Sequence, residues 1–158
     1  RGFRLVLFLA ELNELELWAT DVGNAYLEAF TSEKVYIIAG PEFKELEGHV
    51  LIISKALYGL RSSGARWHDR FADWISELGF FPCKSEPDIW MRKLGNIYEY
   101  VAVYVDDLAI AMKNPREFVD ILENKHKFKT KGTGPISFHL GMDLLLLWWG
   151  QNTLSFVN

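Results

Sequence analysis

Cysteine is almost absent: Cys83 stands alone among 158 residues. One thiol excludes an intramolecular disulfide and a cysteine-built zinc site, and it is consistent with a reducing, intracellular compartment. The four histidines, His49, His68, His126 and His139, are scattered and form no His-Glu-x-x-His pattern, so none is read as a metal ligand. No apolar run is long enough to cross a bilayer; the run from Leu144 to Trp149 is far too short. Residues 1–10 carry an apolar stretch but pass into Glu11, Glu14 and Glu16 with no small-residue cleavage pattern, which excludes a signal peptide. Positive charge is also scarce. Seventeen Lys and Arg against 21 Asp and Glu leave a net charge of −4, where a nucleic-acid binder usually shows a basic footprint. Basic groups would have to gather on one face or lie outside this chain. There is no repeat, low-complexity segment or internal linker. The chain does not begin with Met, and reads as a piece of a longer polyprotein.

What is there is a globular composition, 49% hydrophobic and 15% aromatic, enough for one domain over residues 1–158 with a real core. The centre of the chain is Tyr100-Val101-Ala102-Val103-Tyr104-Val105-Asp106-Asp107-Leu108-Ala109-Ile110-Ala111-Met112. Two β-branched and aromatic runs flank two adjacent carboxylates. The runs predict strands, and Asp-Asp predicts the turn between them, with both acids at the tip of a hairpin. Paired like charges repel, so either they are solvated in a plain turn or a cation holds them. All-oxygen ligands favour Mg²⁺ or Mn²⁺ over zinc.

Around this hairpin the periodicities predict a helix over residues 2–16, with Leu5, Leu7, Phe8, Ala10, Leu12 and Leu15 on its buried face. A strand follows over 17–22. Asn24 is placed to cap a short helix through Phe30. Strands are expected at 35–39 and 50–53, with a solvated loop over 42–49. A glycine-broken turn at 58–63 leads to a long helix with a stripe of Trp67, Phe71, Trp74, Ile75 and Leu78, ended by Gly79. Strands at 89–92 and up to Tyr104 join through Leu94-Gly95-Asn96. Pro115 opens a helix to about His126. Residues 128–131 form an edge strand, Gly132, Gly134 and Pro135 a loop, and 138–147 with 153–157 a hairpin across Gly150-Gln151-Asn152. The order of elements gives an α+β fold, helices on one face of an antiparallel sheet. Cys83 is a small packed residue.

Four stretches in order carry a resemblance: Asp21-Val22-Gly23-Asn24-Ala25-Tyr26, Ala56-Leu57-Tyr58-Gly59-Leu60-Arg61-Ser62-Ser63, Tyr104-Val105-Asp106-Asp107, and Phe138-His139-Leu140-Gly141-Met142. Together they resemble the reverse transcriptase domain of copia-type retrotransposons over nearly the whole chain. The resemblance implies a polymerase palm, an antiparallel sheet with helices packed on one face, with part of the fingers. It implies an RNA-directed DNA polymerase that adds deoxynucleotides to a primer 3′ end on an RNA or DNA template. The implied cofactors are two Mg²⁺ (or Mn²⁺) ions, about 4 Å apart in such sites, held by Asp21, Asp106 and Asp107. Asp21 is the third acid, at the end of a strand able to lie beside the hairpin. Tyr26 is implied to sit beneath the incoming sugar and exclude a 2′ hydroxyl. Copia-type members usually carry Phe there and retroviral relatives Tyr; the alternative for Tyr26 is a core aromatic. Val22, Tyr58, Arg61 and Lys131 are implied nucleotide contacts, Lys131 as a proton donor to pyrophosphate. Tyr104, Ser62, Ser63, Leu140, Gly141 and Met142 are implied template or primer contacts. Gly64 replaces the family's usual proline, and Gly23 and Asn24 also depart from it. Lys55, Arg61, Arg66 and Arg70 are either a basic stripe toward phosphates or a solvated helix face. The implied partners are the primed template, deoxynucleoside triphosphates and the rest of a polyprotein (thumb, ribonuclease H, integrase), with no membrane; the implied setting is a cytoplasmic particle and the nucleus. The rival functional reading is a catalytically inactive palm remnant that only binds nucleic acid, and a more distant one is a metal-binding α+β module.

Overall fold

The computed structural model describes residues 2–136, together with the backbone of the strands Phe138–His139, Met142–Leu147 and Thr153–Val157. The fold is mixed α and β with antiparallel sheets. Two compact units divide it: residues 1–23 with 75–158, and residues 24–74.

The first unit is built on a six-stranded sheet of order β4-β5-β6-β7-β1-β8. Its strands are β1 (Glu16–Val22), β4 (Phe81–Pro82), β5 (Ile89–Leu94), β6 (Ile97–Tyr104), β7 (Asp107–Met112) and β8 (Thr130–Pro135), and every neighbouring pair is antiparallel. β6 and β7 therefore lie in the sheet interior, and β1 lies against β7. Strand alternation sorts the side chains. Tyr100, Ala102, Ala109, Ala111 and Leu17 share one buried cluster with Val6, Leu7 and Ala10 of α1 (Gly2–Leu12). The opposite parity, Val101, Leu108, Ile110 and Met112, is buried as well. α3 (Pro115–Asn124) approaches β1 and β7 with buried Phe118, Val119 and Leu122, none of which joins the α1 cluster. The expectation of helices on one face is thus corrected: both sides of the central strands are covered. The cause is visible in β7, buried at every residue from Leu108 to Met112, a pattern that a one-faced sheet does not give.

α1 stops at Leu12, four residues short of the expected end. Glu14 takes a left-handed φ of 51°. Its N–H then donates to Glu11 O (3.2 Å) and that of Leu15 to Ala10 O (2.9 Å), the pair of bonds that closes a helix in a Schellman cap. Lys113 Nζ donates to the carbonyls of Asn13 (3.1 Å) and Glu14 (2.7 Å) and fixes this turn. The expected buried face of α1 is also corrected. Val6, Leu7 and Ala10 are buried, whereas Leu5, Phe8 and Leu12 are exposed. The helix is apolar on more than one side, and its period alone cannot choose between them. Truncating Leu7, which is fully buried, would cost about 2–5 kcal/mol.

The same cap recurs after α2 (Ser63–Glu77), where Gly79 has φ 82° and bonds run from Gly79 N to Ser76 O and from Phe80 N to Ile75 O. Glycine meets that backbone shape without steric cost. α3 is capped by Asn114, whose side chain accepts from Glu117 N (3.3 Å) while its Nδ2 donates to Glu117. Gly132, Gly134 and Pro135, expected as a loop, belong to β8. Pairing with β1 recruits them, with a bulge between Ala19 and Asp21, and a sheet edge tolerates the proline. β9 (Phe138–His139), β10 (Met142–Leu147) and β11 (Thr153–Val157) form a separate antiparallel sheet, β10 and β11 paired as expected; the connecting residues 148–152 lie outside the described residues. Cys83 is half-buried at the margin of the α1 cluster.

The second unit contains a two-stranded ribbon, β2 (Phe30–Ile38) and β3 (Val50–Lys55), and the aromatic stripe of α2, with Trp67, Phe71 and Trp74 buried. β2 starts earlier than expected, and the short helix after Asn24 shrinks to a 3₁₀ turn at Ala25–Glu28. Asn24 makes no side-chain cap; it is itself left-handed, with φ 58°. The stretch after Gly40 forms 3₁₀ turns at Pro41–Leu46 instead of an open loop.

Candidate active site

β1 ends and β7 begins at the same end of the sheet's strands. In their antiparallel register Asp21 faces Asp107, and Val22 N–H donates to Asp106 O at 2.7 Å. Tyr104 pairs with Asp107, so the hairpin turn consists of Val105 and Asp106 alone. Asp107 is therefore the first residue of a strand, and only Asp106 sits in the turn, which corrects the picture of both acids at the tip. By alternation Asp21 and Asp107 fall on the sheet face that carries Leu17, Ala109 and Ala111. Cross-strand partners stand about 5 Å apart at Cα, so these acids are near neighbours on rigid elements.

β8 completes the arrangement. Lys131 is the partner of Asp21 on its other side, so Asp21 stands between an acid and a base. Burial pushes the Asp21 carboxyl above its ordinary 3.8; Asp106 and then Asp107 push it further, and Lys131 pulls it back. Gly23 allows β8 to come this close: its N–H donates to Lys129 O at 2.7 Å, and a Cβ there would stand 3.2 Å from that oxygen and 3.4 Å from Lys131 Cε. Val105 holds φ 57°, a region that a β-branched residue enters only at a cost. Tyr104 and Val105 are both exposed beside the acids. Val22 is fully buried, so at this end it offers backbone and no side-chain contact.

These donors are all oxygen, half-buried and mutually repelling, the chemistry that a hard divalent cation relieves. The residues fit such an ion in type, and among the described residues no group of three or more Asp, Glu, His or Cys side chains is placed to hold one.

In the second unit the Tyr26 ring, half-buried in the Ala25–Glu28 turn, lies 4.3 Å from the Tyr58 ring, tilted by 36°. A Cβ on Gly64 would stand 3.8 Å from Tyr26 Oη. The loop before α2 is tied internally. Ser63 is buried and its Oγ donates to Leu57 O at 2.6 Å. Ser62 donates its N–H (2.8 Å) and its Oγ–H (2.5 Å) to Glu33 Oε1. Arg61 is exposed. Of the basic stripe, Arg66 pairs with Asp69 at 3.7 Å and Lys55 lies over the Phe30 ring at 4.2 Å. Glu33 escaped the sequence reading, since nothing in the sequence sets it apart from the other acids nearby. Leu140 and Gly141 lie outside the described residues, and for Met142 only the strand backbone is described.

Comparison with known proteins shows the family. Residues 2–152 match the family described as reverse transcriptase (RNA-dependent DNA polymerase). The chain is 28% identical over 145 residues to the retrovirus-related Pol polyprotein from transposon RE1 of Arabidopsis thaliana, covering 90% of this chain and 10% of that protein. It is 28% identical over 149 residues to the Pol polyprotein from transposon TNT 1-94 of Nicotiana tabacum, covering 91% and 11%. The transposon Ty1-BL Gag-Pol polyprotein of Saccharomyces cerevisiae is 26% identical over 143 residues, covering 88% and 8%. The chain thus spans about a tenth of the length of these relatives. No solved structure matches it.

Proposed function

The chain belongs to the reverse transcriptase (RNA-dependent DNA polymerase) family of copia-type retrotransposons, and from that premise we propose that it is the catalytic palm, with part of the fingers, of a template-directed DNA polymerase. The observation that carries this reading is the register of Asp21 against Asp107, with the Asp106 carbonyl bound to Val22. Asp21, Asp106 and Asp107 would hold two Mg²⁺ (or Mn²⁺) ions, which when bound activate the attacking 3′ oxygen and steady the leaving pyrophosphate.

The chain's own residues do the rest. The two strand ends fix Asp21 and Asp107 in place, as rigid elements hold such sites better than loops. Lys131, against Asp21, offers its ammonium charge and a proton at Nζ to the departing pyrophosphate. Tyr26, backed by Tyr58, presents its ring to the sugar and leaves no room for a 2′ hydroxyl. Tyr58 and Arg61 contact the nucleotide and the template from their loop. Tyr104, with Leu140, Gly141 and Met142, contacts the primer. The primed template and deoxynucleoside triphosphates are then the partners, and the rest of a Pol polyprotein supplies the remaining domains. Among the described residues no helix is long and apolar enough to cross a membrane.

Single-nucleotide incorporation on a primed RNA template tests this reading in the polymerase that carries this chain. Asp106→Asn keeps the shape and removes a ligand charge, and should cost about a thousandfold or more in rate. Full activity in that variant would end the catalytic assignment.

A further inference from the structure

Two of the serines in the loop before α2 do not present their hydroxyls outward. Ser63, the first residue of α2, is 1% exposed and donates its Oγ–H to Leu57 O. Ser62 spends both its donors on a single oxygen of Glu33, the backbone N–H at 2.8 Å and the Oγ–H at 2.5 Å. The same Ser62 offers its carbonyl to Arg66 N at 2.9 Å in the first turn of α2. Glu33 comes from β2, 29 residues earlier, so these bonds join the ribbon to the loop within one unit. Charge-assisted bonds of this kind are stronger and more directional than neutral ones. Between these fixed points, Arg61 is the exposed cation of the loop.

We propose that Glu33 is a positioning residue for this loop: by taking both hydrogen bonds of Ser62 it fixes the place from which Arg61 reaches a phosphate of the template or nucleotide. Ser62 and Ser63 are then parts of the support, and recognition falls to Arg61 and Tyr58. The proposal rests on the polymerase reading of this loop given above. Two further observations agree with it. The Ser62 bonds hold the Glu33 carboxyl below its ordinary range, with a smaller contribution from Arg61. The following residue, Ser63, is anchored through Leu57, and the Ser62 bonds to Glu33 add a second tie, from β2, directly beside Arg61.

The test is fluorescence anisotropy of a labelled DNA primer on an RNA template, bound to the polymerase carrying this chain, from about 50 to 200 mM salt. Each lost phosphate contact makes the slope of log K against log salt shallower by about one. Arg61→Ala should show that change, and Glu33→Ala should reproduce most of it with affinity down by about tenfold at low salt. The double variant should add little to either single one. Glu33→Gln keeps an acceptor oxygen and should recover the wild-type slope, which loss of stability alone would not do. If Glu33→Ala does not fold, Ser62→Ala carries the test with a smaller shift in the same direction. A wild-type slope in Glu33→Ala or Ser62→Ala, with Arg61→Ala shifted, overturns the role of Glu33 and leaves the loop reading intact. A wild-type slope in Arg61→Ala as well overturns both.

Discussion

Asp21 and Asp107 are cross-strand partners at one end of two interior strands of the central sheet, though 86 positions apart in the chain by number. Burial, then Asp106 and then Asp107, disfavour the charged form of Asp21. The sign of the consequence follows. A carboxyl whose folded value is raised above its ordinary 3.8 stabilises the fold while protonated; that contribution is complete below the unfolded value and is lost as pH rises through the folded one. Asp21→Asn should therefore melt higher than the wild type at neutral pH without divalent ions, and the advantage should disappear in acid. Added Mg²⁺ should raise the wild-type melting temperature and leave that of Asp21→Asn little changed. Thermal unfolding followed by circular dichroism, across pH and Mg²⁺ concentration, measures both effects.

Tyr26 rests against Tyr58 at 4.3 Å between ring centroids. On the proposed polymerase reading, removing its ring opens the space for the sugar. Tyr26→Ala is expected to retain DNA synthesis while discrimination against ribonucleotides falls by about tenfold or more. Matched deoxy- and ribonucleotide incorporation on one primed template measures this. Unchanged discrimination would leave the tyrosine as a packing partner of Tyr58 only.

Val105 sits in a two-residue turn with φ 57° and is 39% exposed. Little packing is lost if its side chain is removed, and the strained backbone relaxes. Val105→Gly should stabilise the protein by about 1 kcal/mol, read as a rise in denaturation midpoint, whereas an ordinary strand valine replaced by glycine would lower it.

Glu99 is buried, and Arg92 donates to its Oε2 from Nη2 at 2.6 Å and Nε at 3.1 Å, while Lys113 N–H serves Oε1 at 3.1 Å. Arg92 also donates to Leu78 O and lies over the Phe80 ring. Arg92→Ala leaves a buried carboxylate short of its cation and should cost about 3–5 kcal/mol. The apolar double replacement Arg92→Met with Glu99→Leu should cost much less. Urea denaturation of the three proteins settles the comparison, and equal losses would refute the charge argument.

The sequence by itself determined the elements and the chemistry that local rules control. β-branched runs around Asp106-Asp107 set the strands β6 and β7, and alternation set which residues could face a helix. Gly79 and Pro115 marked the helix boundaries they were expected to mark. The three acids were legible as residue types in an ordered set of motifs. Tertiary structure decided what depends on long-range pairing. Only the register of β1 against β7 puts Asp21 opposite Asp107, and only the pairing of β8 with β1 puts Lys131 on its other side and turns Gly132, Gly134 and Pro135 from loop into strand. Alternation is local, but partner choice is not, because a hydrogen-bonded edge accepts any strand that closure and packing bring to it. The same reason hid Glu33: an acid on a half-exposed ribbon gains its meaning from Ser62, 29 residues away. α1 shows the limit from the other side. Its sequence is apolar on more than one side, so the sheet, and not the helical period, chose Val6, Leu7 and Ala10 for the core.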